Sequence, residues 1–227
     1  MNIQKNWLNK NYSSVFIIIL TCAINMPNDE SVYLVEETAE VYNKIVKPLV
    51  NEVTVDLENQ PKYQWIFETV ERRLPLEKII YDDPCPINGF IMIPNILWDG
   101  SDKNLYLLAI INQRGIKSVR ELNETHLPLL KNILSSGSKI IEEKYGLRRS
   151  QLRIYFHYQP TYYHLHVHFN PLNYDAPGIM MEKGHLLQEV ISNIEKNSSY
   201  YQEATLFFRV RRKHELYRRL LKFGYKF

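Results

Sequence analysis

The clearest pattern of apolar and polar positions lies in the middle of the chain. Between residues 124 and 145 apolar residues recur at the three- and four-residue spacing of a helix that buries one face. Asn123 precedes this stretch as a helix N-cap, Pro128 falls in its opening turns, and Gly146 stands where a C-cap is expected. The pattern therefore predicts a long amphipathic helix.

Shorter apolar runs have the length and composition of strands or of further helices. Strands are predicted at 15–20, 78–81, 89–93, 105–111, 152–157, 164–170 and 204–210. Further helices are predicted at 32–45, 65–73 and 186–194, and a basic helix at the C terminus. Several strands follow one another without an intervening helix. This order favours an α+β fold, with an antiparallel sheet and flanking helices, over a doubly wound parallel sheet.

The N-terminal part of the chain is set apart by the prolines that follow it, Pro48 and Pro61. We therefore divide the chain into an N-terminal segment at residues 1–45 and a main domain at residues 46–227. The apolar run at 15–20 is too short to span a bilayer, and no clear signal-peptide cleavage site follows it. We interpret it as a buried strand and expect no association with a membrane.

Composition and charge exclude little. A length of 227 residues suits one medium-sized domain with a small appendage, and the net charge of +3 does not indicate a nucleic-acid partner. The two cysteines lie in unrelated contexts, which is typical of a reducing compartment. Residues 206–227 contain eight basic residues and one acid. Such a tail could meet phosphate or RNA, but a solvated basic helix face is the more common explanation.

Histidines provide the candidate chemistry. Four of the seven histidines fall between residues 157 and 168. On a strand, His164, His166 and His168 project from one face because side chains alternate, while the apolar residues between them face the core. His157 lies close by in sequence. The regular spacing makes a surface strand with incidental histidines a poor explanation.

Two kinds of site fit these imidazoles. A metal site is one, since neutral imidazole binds zinc, copper or iron, but Asp175 is the nearest acid that could complete it. Nucleophilic catalysis on phosphorus is the other, because imidazole has a pKa near 6.5 and is partly neutral at pH 7. In that case one ring attacks the phosphate and its neighbours orient it and contact the oxygens.

A sequence resemblance bears on this choice. His164-Leu165-His166-Val167-His168, followed by apolar Phe169, resembles the signature of the histidine triad hydrolases. Longer stretches resemble one family within that group, the scavenger mRNA decapping enzymes, and extend the similarity from about residue 35 to about residue 208. These stretches are 105–110, 114–118, 126–130, 157–169 and 176–178. The resemblance implies a histidine triad fold in the main domain.

The resemblance also implies an activity. That family hydrolyses the capped remnants of mRNA decay, a capped dinucleotide or short capped RNA, and releases 7-methylguanosine monophosphate without a metal or other cofactor. Carried over, His166 attacks the phosphate next to the methylated nucleoside and forms a covalent nucleotidyl-histidine. His157, His164 and His168 orient the nucleophile, contact phosphate oxygens and help to protonate the leaving diphosphate.

Several substrate-binding residues follow from the same resemblance. Trp65 stacks on 7-methylguanine, a cationic ring that suits an indole face. Pro94 and Ile96 match the proline and the apolar residue on the other side of the ring. Tyr162 belongs to the matched stretch around the histidines and is assigned to the substrate site. Two positions differ in residue type: Thr161 replaces a serine and keeps a hydroxyl donor for phosphate, and Lys183 replaces an arginine and keeps the charge without the planar fork.

Other positions depart from the family pattern. Asn95 stands where the family has an aspartate, and Leu97 where it has a lysine, which removes a cation that would meet the triphosphate. The glutamate that binds the guanine edge aligns with Pro75, so Glu77 or Glu71 must replace it, and we prefer Glu77. These departures leave two alternatives open: a histidine triad hydrolase of other dinucleoside polyphosphates, or a non-catalytic protein that binds caps or RNA.

The N-terminal segment also departs from the family, in which a complete N-terminal domain is exchanged between two protomers and closes over the site. About 34 residues precede the region of resemblance here. We therefore expect a reduced lid and dimerisation segment at residues 1–45. By the same resemblance we expect a homodimer and a cytoplasmic location, with nuclear entry left open.

Overall fold

The computed structural model describes residues 31–176, 179 and 182–227. The predicted strand at 15–20 lies outside the described residues. So do Cys22 and two residues of the 176–178 stretch.

Eight strands form two sheets in the part of the chain that the structure describes. In chain order they are β1 (Val32–Glu37), β2 (Tyr81–Asp82), β3 (Phe90–Pro94), β4 (Leu107–Ile111), β5 (Leu152–His157), β6 (His166–Pro171), β7 (Gly184–Leu186) and β8 (Leu206–Arg211). The main sheet has the order β2-β3-β4-β6-β5-β7, and β1 pairs with β8 in a small separate sheet. Every neighbouring pair is antiparallel, which confirms the predicted α+β class.

Seven α-helices connect and cover the strands of the described chain. They are α1 (Ala39–Val41), α2 (Lys47–Val53), α3 (Gln64–Val70), α4 (Leu127–Tyr145), α5 (Leu187–Lys196), α6 (Tyr200–Glu203) and α7 (Glu215–Lys222), and a π-helical turn (Tyr42–Val46) joins α1 to α2. Within the described residues, no helix is both long enough and apolar enough to cross a membrane.

The prediction of the long helix is confirmed by α4. The Asn123 side chain caps a 3₁₀ turn (Glu124–His126) that leads into the helix by accepting a hydrogen bond from the Thr125 amide at 3.0 Å. Gly146 ends the helix with φ 68°, a left-handed conformation that costs glycine little. Both ends of the helix therefore follow from residues that were identified by type and position.

The prediction of a helix at 32–45 is wrong for its first half, which is strand β1. Exposed and buried residues alternate there, with Leu34 exposed and Val35 and Glu37 buried, and this period of two belongs to a strand. The helix begins only after Thr38, whose hydroxyl accepts from the Val41 amide. The predicted strand at 78–81 is also shorter than expected, because Leu76–Lys78 forms a 3₁₀ turn.

Both faces of the main sheet are covered. On one face the sheet packs against α4 and α5, in a cluster that includes Leu107, Ala109, Ile133, Val167, Phe169 and Val190. On the other face it packs against α3, in a second cluster that includes Ile66, Phe67, Ile91, Ile93, Leu108 and Ile110. The strand β6, in the middle of the sheet, is therefore supported from both sides.

Helix α4 comes closest to the sheet at Gly137. A Cβ atom at this position would lie 2.8 Å from Cζ of Phe169 and 3.2 Å from Cε of Met92, both closer than a normal van der Waals contact. The absence of a side chain at Gly137 thus lets the Phe169 ring of β6 rest directly against the helix.

A buried ion pair joins β1 to the rest of the chain. Arg120 and Glu37 have fully buried side chains, and the Arg120 guanidinium donates to Oε1 of Glu37 from Nε at 2.9 Å and from Nη2 at 2.6 Å. Arg120 also donates to the carbonyls of Tyr201 and Ala204, at 2.8 and 2.7 Å. The Tyr158 hydroxyl donates to the same carboxylate oxygen of Glu37. Almost all of the polar atoms of this pair are therefore satisfied inside the protein.

This ion pair crosses the predicted division of the chain at residue 45. Glu37 belongs to the N-terminal segment, and its partners belong to the main domain. The strand β1 also pairs along its whole length with β8. The division into residues 1–45 and 46–227 stays a prediction, but the described part of the N-terminal segment is packed into the same core as the main domain.

We expect Arg120→Ala to lower the free energy of unfolding by about 3–5 kcal/mol, because it leaves a buried carboxylate without its cation. Urea denaturation followed by fluorescence measures the difference. Lys44→Ala is the control, since it removes an exposed ion pair with Glu40 and should leave the stability nearly unchanged. A similar loss for both variants would contradict the role of the buried pair.

Candidate active site

Strands β5 and β6 bring three of the four clustered histidines onto one face of the main sheet. His166 lies opposite Ile110 in the strand register, and His168 lies opposite Leu108, so both rings share the face covered by α3. The ring centroids of His157 and His168 are 4.1 Å apart, and those of His166 and His168 are 5.1 Å apart. The structure thus places His166 and His168 on one face, as the spacing predicted, and adds His157 from the neighbouring strand.

His164 takes a different position from the one expected. Strand β6 begins at His166, so strand alternation does not govern the direction of His164. The His164 ring is buried, its Nε2 lies 2.9 Å from the carbonyl oxygen of Ile111, and it packs edge-on against Phe67. Burial, together with the charges of His166 and Arg114, lowers the pKa of His164 to about 4. The ring is therefore neutral at pH 7.

The main-chain carbonyl of His164 contacts the ring of His166. Nδ1 of His166 lies 2.7 Å from this oxygen. A carbonyl only accepts hydrogen bonds, so Nδ1 must donate and must carry the ring proton. The neutral ring then has its lone pair on Nε2, which is the form that a nucleophilic histidine needs. Burial lowers the pKa of His166, and the positive charge of Lys183 lowers it further.

His168 is held by two tyrosines. Its Nδ1 lies 3.0 Å from the hydroxyl of Tyr106, and its ring stacks on Tyr155 with centroids 5.1 Å apart and planes at 19°. Its Nε2 is buried and has no hydrogen-bond partner among the described residues. Burial, together with His157, His166 and Lys183, holds the pKa of His168 well below its usual value. A buried polar atom of this kind is available to a bound phosphate.

Lys183 is the cation of this face. Its side chain is half-buried, its charge acts on both His166 and His168, and its own pKa is lowered by burial and by Arg209. The Lys183 carbonyl accepts from the Tyr158 amide at 2.8 Å, which fixes this backbone beside the end of β5. The predicted phosphate-binding lysine therefore lies close to the histidines.

Aromatic residues line the same side of the sheet. Trp65, on α3, meets Tyr162 edge to face with ring centroids 5.2 Å apart and planes at 82°. Tyr162 also contacts Tyr63, at 5.7 Å, and both Trp65 and Tyr162 pack against the cluster that covers this face. Thr161, next to Tyr162, is exposed. Trp65 is half-buried, so part of its indole can accept a second ring.

The turn after β3 presents an exposed apolar residue. Pro94 ends the strand, and Oδ1 of Asn95 accepts from the Leu97 amide at 2.8 Å, which holds the turn. Ile96 and Leu97 are 63% and 54% exposed. The side chain of Asn95 is thus engaged within the turn, while Ile96 is free to contact a ligand.

The two candidate glutamates differ in their contacts. Glu71 forms ion pairs with Arg73 and Arg114. Glu77 is exposed in the 3₁₀ turn and forms no ion pair with a described residue. Our preference for Glu77 over Glu71 as the residue that binds the base edge is compatible with these contacts.

Comparison with known proteins identifies the family. A family model described as the C-terminal binding region of scavenger mRNA decapping enzyme matches residues 64–184, more than half of the chain. The chain belongs to the scavenger mRNA decapping enzyme family. The match begins one residue before Trp65 and ends one residue after Lys183, so it includes every residue assigned to the site above.

Curated relatives agree with this family. The chain is 40% identical to the m7GpppX diphosphatase of Sus scrofa over 183 residues, which are 80% of this chain and 52% of the relative. It is 38% identical over 192 residues to that of Ascaris suum, with 84% and 62% covered. It is 31% identical over 189 residues to that of Schizosaccharomyces pombe, with 82% and 60% covered. The chain spans about half the length of the first of these decapping enzymes.

Sequence analysis missed the tyrosines that hold His168. Tyr106 lies inside an apolar run and Tyr155 inside another, so both looked like core residues. The alternation of the strands contained a usable signal, since Tyr106 precedes β4 on the same alternate face as Leu108, which lies opposite His168.

The alternative of a metal site depends on a cluster of side chains that can bind a metal ion. Within residues 31–176, 179 and 182–227, no set of three or more histidine, cysteine, aspartate or glutamate side chains is arranged to hold a metal ion. The expectation that the activity requires no metal stays a prediction.

The lowered pKa of His164 gives a prediction about stability. In the folded protein this pKa is about 4, against about 6.5 for an imidazole in water, so the unfolded chain binds the proton more readily between these values. Stability from this source is therefore complete above pH 6.5 and lost as the pH falls toward 4, by about 3 kcal/mol. We expect His164→Asn to remove this part of the pH dependence. Urea denaturation at pH 7 and pH 4 tests it, and parallel pH profiles for both proteins would contradict it.

Proposed function

We propose that this protein hydrolyses the methylated cap remnant of mRNA and releases 7-methylguanosine monophosphate and a nucleoside or RNA diphosphate. The observation that carries this proposal is the contact between His166 Nδ1 and the His164 carbonyl, which leaves the lone pair on Nε2. The relatives named m7GpppX diphosphatase support the substrate.

In the first step, Nε2 of His166 attacks the phosphorus next to the methylated nucleoside. The P–N bond forms as the bond from phosphorus to the bridging oxygen breaks, and the diphosphate leaves with the electron pair of that bond. The leaving group accepts a proton from an imidazole or from solvent. Because burial and Lys183 hold the pKa of His166 below its usual value, the attacking ring is neutral at pH 7.

In the second step, water attacks the same phosphorus and the P–N bond breaks. The products are 7-methylguanosine monophosphate, the free imidazole and a proton. His157 and His168 lie within ring contact of each other beside His166, and we assign them to contacts with the phosphate oxygens and to proton transfer. His164 acts through its carbonyl, which fixes the tautomer of His166.

The remaining site residues divide by the part of the substrate that they bind. Trp65 stacks on 7-methylguanine, with Tyr162 supporting the indole from its edge. Pro94, Asn95 and Ile96 form the other side of the base site, and Glu77 binds the base edge. Lys183 and the hydroxyl of Thr161 meet the phosphates.

We expect the wild-type protein to release 7-methylguanosine monophosphate from a methylated cap dinucleotide in the presence of excess chelator. His166→Asn should lower kcat by about 10⁴-fold, since the nucleophile is lost. Chromatography of the products measures both rates.

A matched histidine substitution serves as the control. His214 caps α7 by accepting from the Leu216 amide, and asparagine caps a helix equally well, so His214→Asn should keep full activity. Binding without turnover by the wild type would favour the non-catalytic alternative. Turnover that chelator abolishes would favour a metal-dependent enzyme.

A second candidate function is hydrolysis of unmethylated dinucleoside polyphosphates. It is favoured by Leu97, which is exposed in place of the lysine of the family pattern, and by the engagement of Asn95 within its turn. Equal kcat/KM for methylated and unmethylated cap dinucleotides would select this candidate over cap scavenging.

Substitution of Trp65 tests the base site. We expect Trp65→Ala to raise KM for the methylated dinucleotide by about 10-fold with little change in kcat, because the lost contact is made before and during the reaction. Trp65→Phe should recover part of the loss. The unmethylated dinucleotide should respond less, since its base has no positive charge. An equal response of both substrates would contradict stacking on a cationic base.

The homodimer and the cytoplasmic location remain predictions. Sedimentation of the purified chain decides the first of these, and the location of a tagged protein in cells decides the second.

A further inference from the structure

The small sheet formed by β1 and β8 has one face in the core and one face toward solvent. Val35, Phe208 and Val210 are buried in the core. The alternate residues are exposed, and we call them the outer face: Val32, Leu34, Glu36, Phe207, Arg209 and Arg211. Register pairs Leu34 with Arg209 and Val32 with Arg211, so these residues form one continuous surface.

The outer face combines cations with an exposed aromatic ring. Two arginines face one acid, Glu36, and Phe207 is 45% exposed. Arg211 forms no ion pair with a described residue. Arg209 contacts Glu182 at 2.6 Å and still has two-fifths of its side chain exposed. Single-stranded nucleic acids are bound by this combination, in which cations meet the phosphates and an aromatic ring stacks on a base.

The outer face is continuous with the candidate active site. Glu182, the partner of Arg209, is followed directly by Lys183, the cation that acts on His166 and His168. A chain that leaves the histidines past Lys183 therefore meets Arg209 next. Arg211 follows at about 6.8 Å along the strand, the distance between alternate residues of β8.

We propose that the outer face binds the RNA chain attached to the leaving diphosphate of the substrate. Arg209 and Arg211 contact successive phosphates beyond the cap, and Phe207 stacks on a base. This inference rests on the proposed function, and it adds a binding site for the part of the substrate that the histidines do not contact.

The other basic residues of the C-terminal region are placed differently. Arg219 is bound to Glu52 and to Glu215, which gives it a structural role between α7 and α2. Arg218 and Lys222 are exposed and belong to α7 rather than to the strands of the outer face. Loss of charge at these two positions is therefore a matched control for loss of charge on β8.

The first experiment compares a methylated cap dinucleotide with a capped hexanucleotide. We expect the double variant Arg209→Gln/Arg211→Gln to raise KM about tenfold for the hexanucleotide and to change KM less than twofold for the dinucleotide. It should also reduce the slope of log KM against log salt for the hexanucleotide by about 1.4, which corresponds to two lost phosphate contacts on a single strand. Phe207→Ser should raise KM for the hexanucleotide alone, by about fivefold or more.

The control is Arg218→Gln/Lys222→Gln, which removes the same charge from α7 and should leave both KM values unchanged. An equal effect of the two double variants would overturn the proposal in favour of a general effect of net charge. An equal effect of the β8 variant on both substrates would overturn it in favour of a role at the cap itself.

A second measurement separates this inference from the proposed function. Fluorescence anisotropy measures binding of a labelled, uncapped hexanucleotide with a 5′-diphosphate, and it needs no turnover. We expect the wild-type protein and His166→Asn to bind this hexanucleotide, and Arg209→Gln/Arg211→Gln to lose the binding. Hexanucleotide binding without turnover of the cap dinucleotide would reject cap hydrolysis and keep the RNA site. Turnover without hexanucleotide binding would reject the RNA site and keep cap hydrolysis.

Discussion

The ion pair between Arg120 and Glu37 constrains more of this structure than any other side-chain contact described. Its groups are fully removed from water, so each proton and lone pair must find a partner inside the protein. Those partners come from β1, from Tyr201 in α6 and Ala204 directly after it, and from Tyr158 directly after β5. Tyr158 and Gln159, which also contacts Glu37, begin the segment that leads to His164. The buried charges therefore fix the start of the loop that joins β5 to β6. This loop ends at His164 and His166, so the buried charges help to position both.

His164, His166 and His168 share one protonation state. Burial lowers the pKa of His164, His166 and His168, so the imidazoles are uncharged at neutral pH while Lys183 supplies positive charge beside them. An uncharged His168 avoids repulsion with His157, whose ring centroid lies only 4.1 Å away. A bound polyphosphate would reverse this preference, because negative charge raises the pKa of nearby imidazoles.

Much of the fold followed from local patterns. The period of α4 and its end residues Asn123 and Gly146 were sufficient for that helix, and apolar runs of strand length were sufficient for most of the main sheet. The segment at 32–45 was misassigned because its first six residues pair with β8, far away in sequence. The pairing of Arg120 with Glu37 and the support of His168 by Tyr106 likewise join residues 83 and 62 positions apart. The first contact leaves no local signal and the second leaves only the alternation of β4, so the histidines could be singled out from the sequence more readily than the contacts that orient them.

The missing side chain at Gly137 has a consequence for the site, although it lies on the opposite side of the sheet. Phe169 rests against this point of α4 and belongs to the same strand as His166 and His168. The contact between Phe169 and α4 therefore sets the distance between the helix and strand β6. The methyl group of an alanine at position 137 would push Phe169, and with it β6, away from α4. A densely packed interior transmits such a shift to the face that carries His166 and His168. The position of His166 therefore depends in part on Gly137, a residue on the opposite side of the sheet.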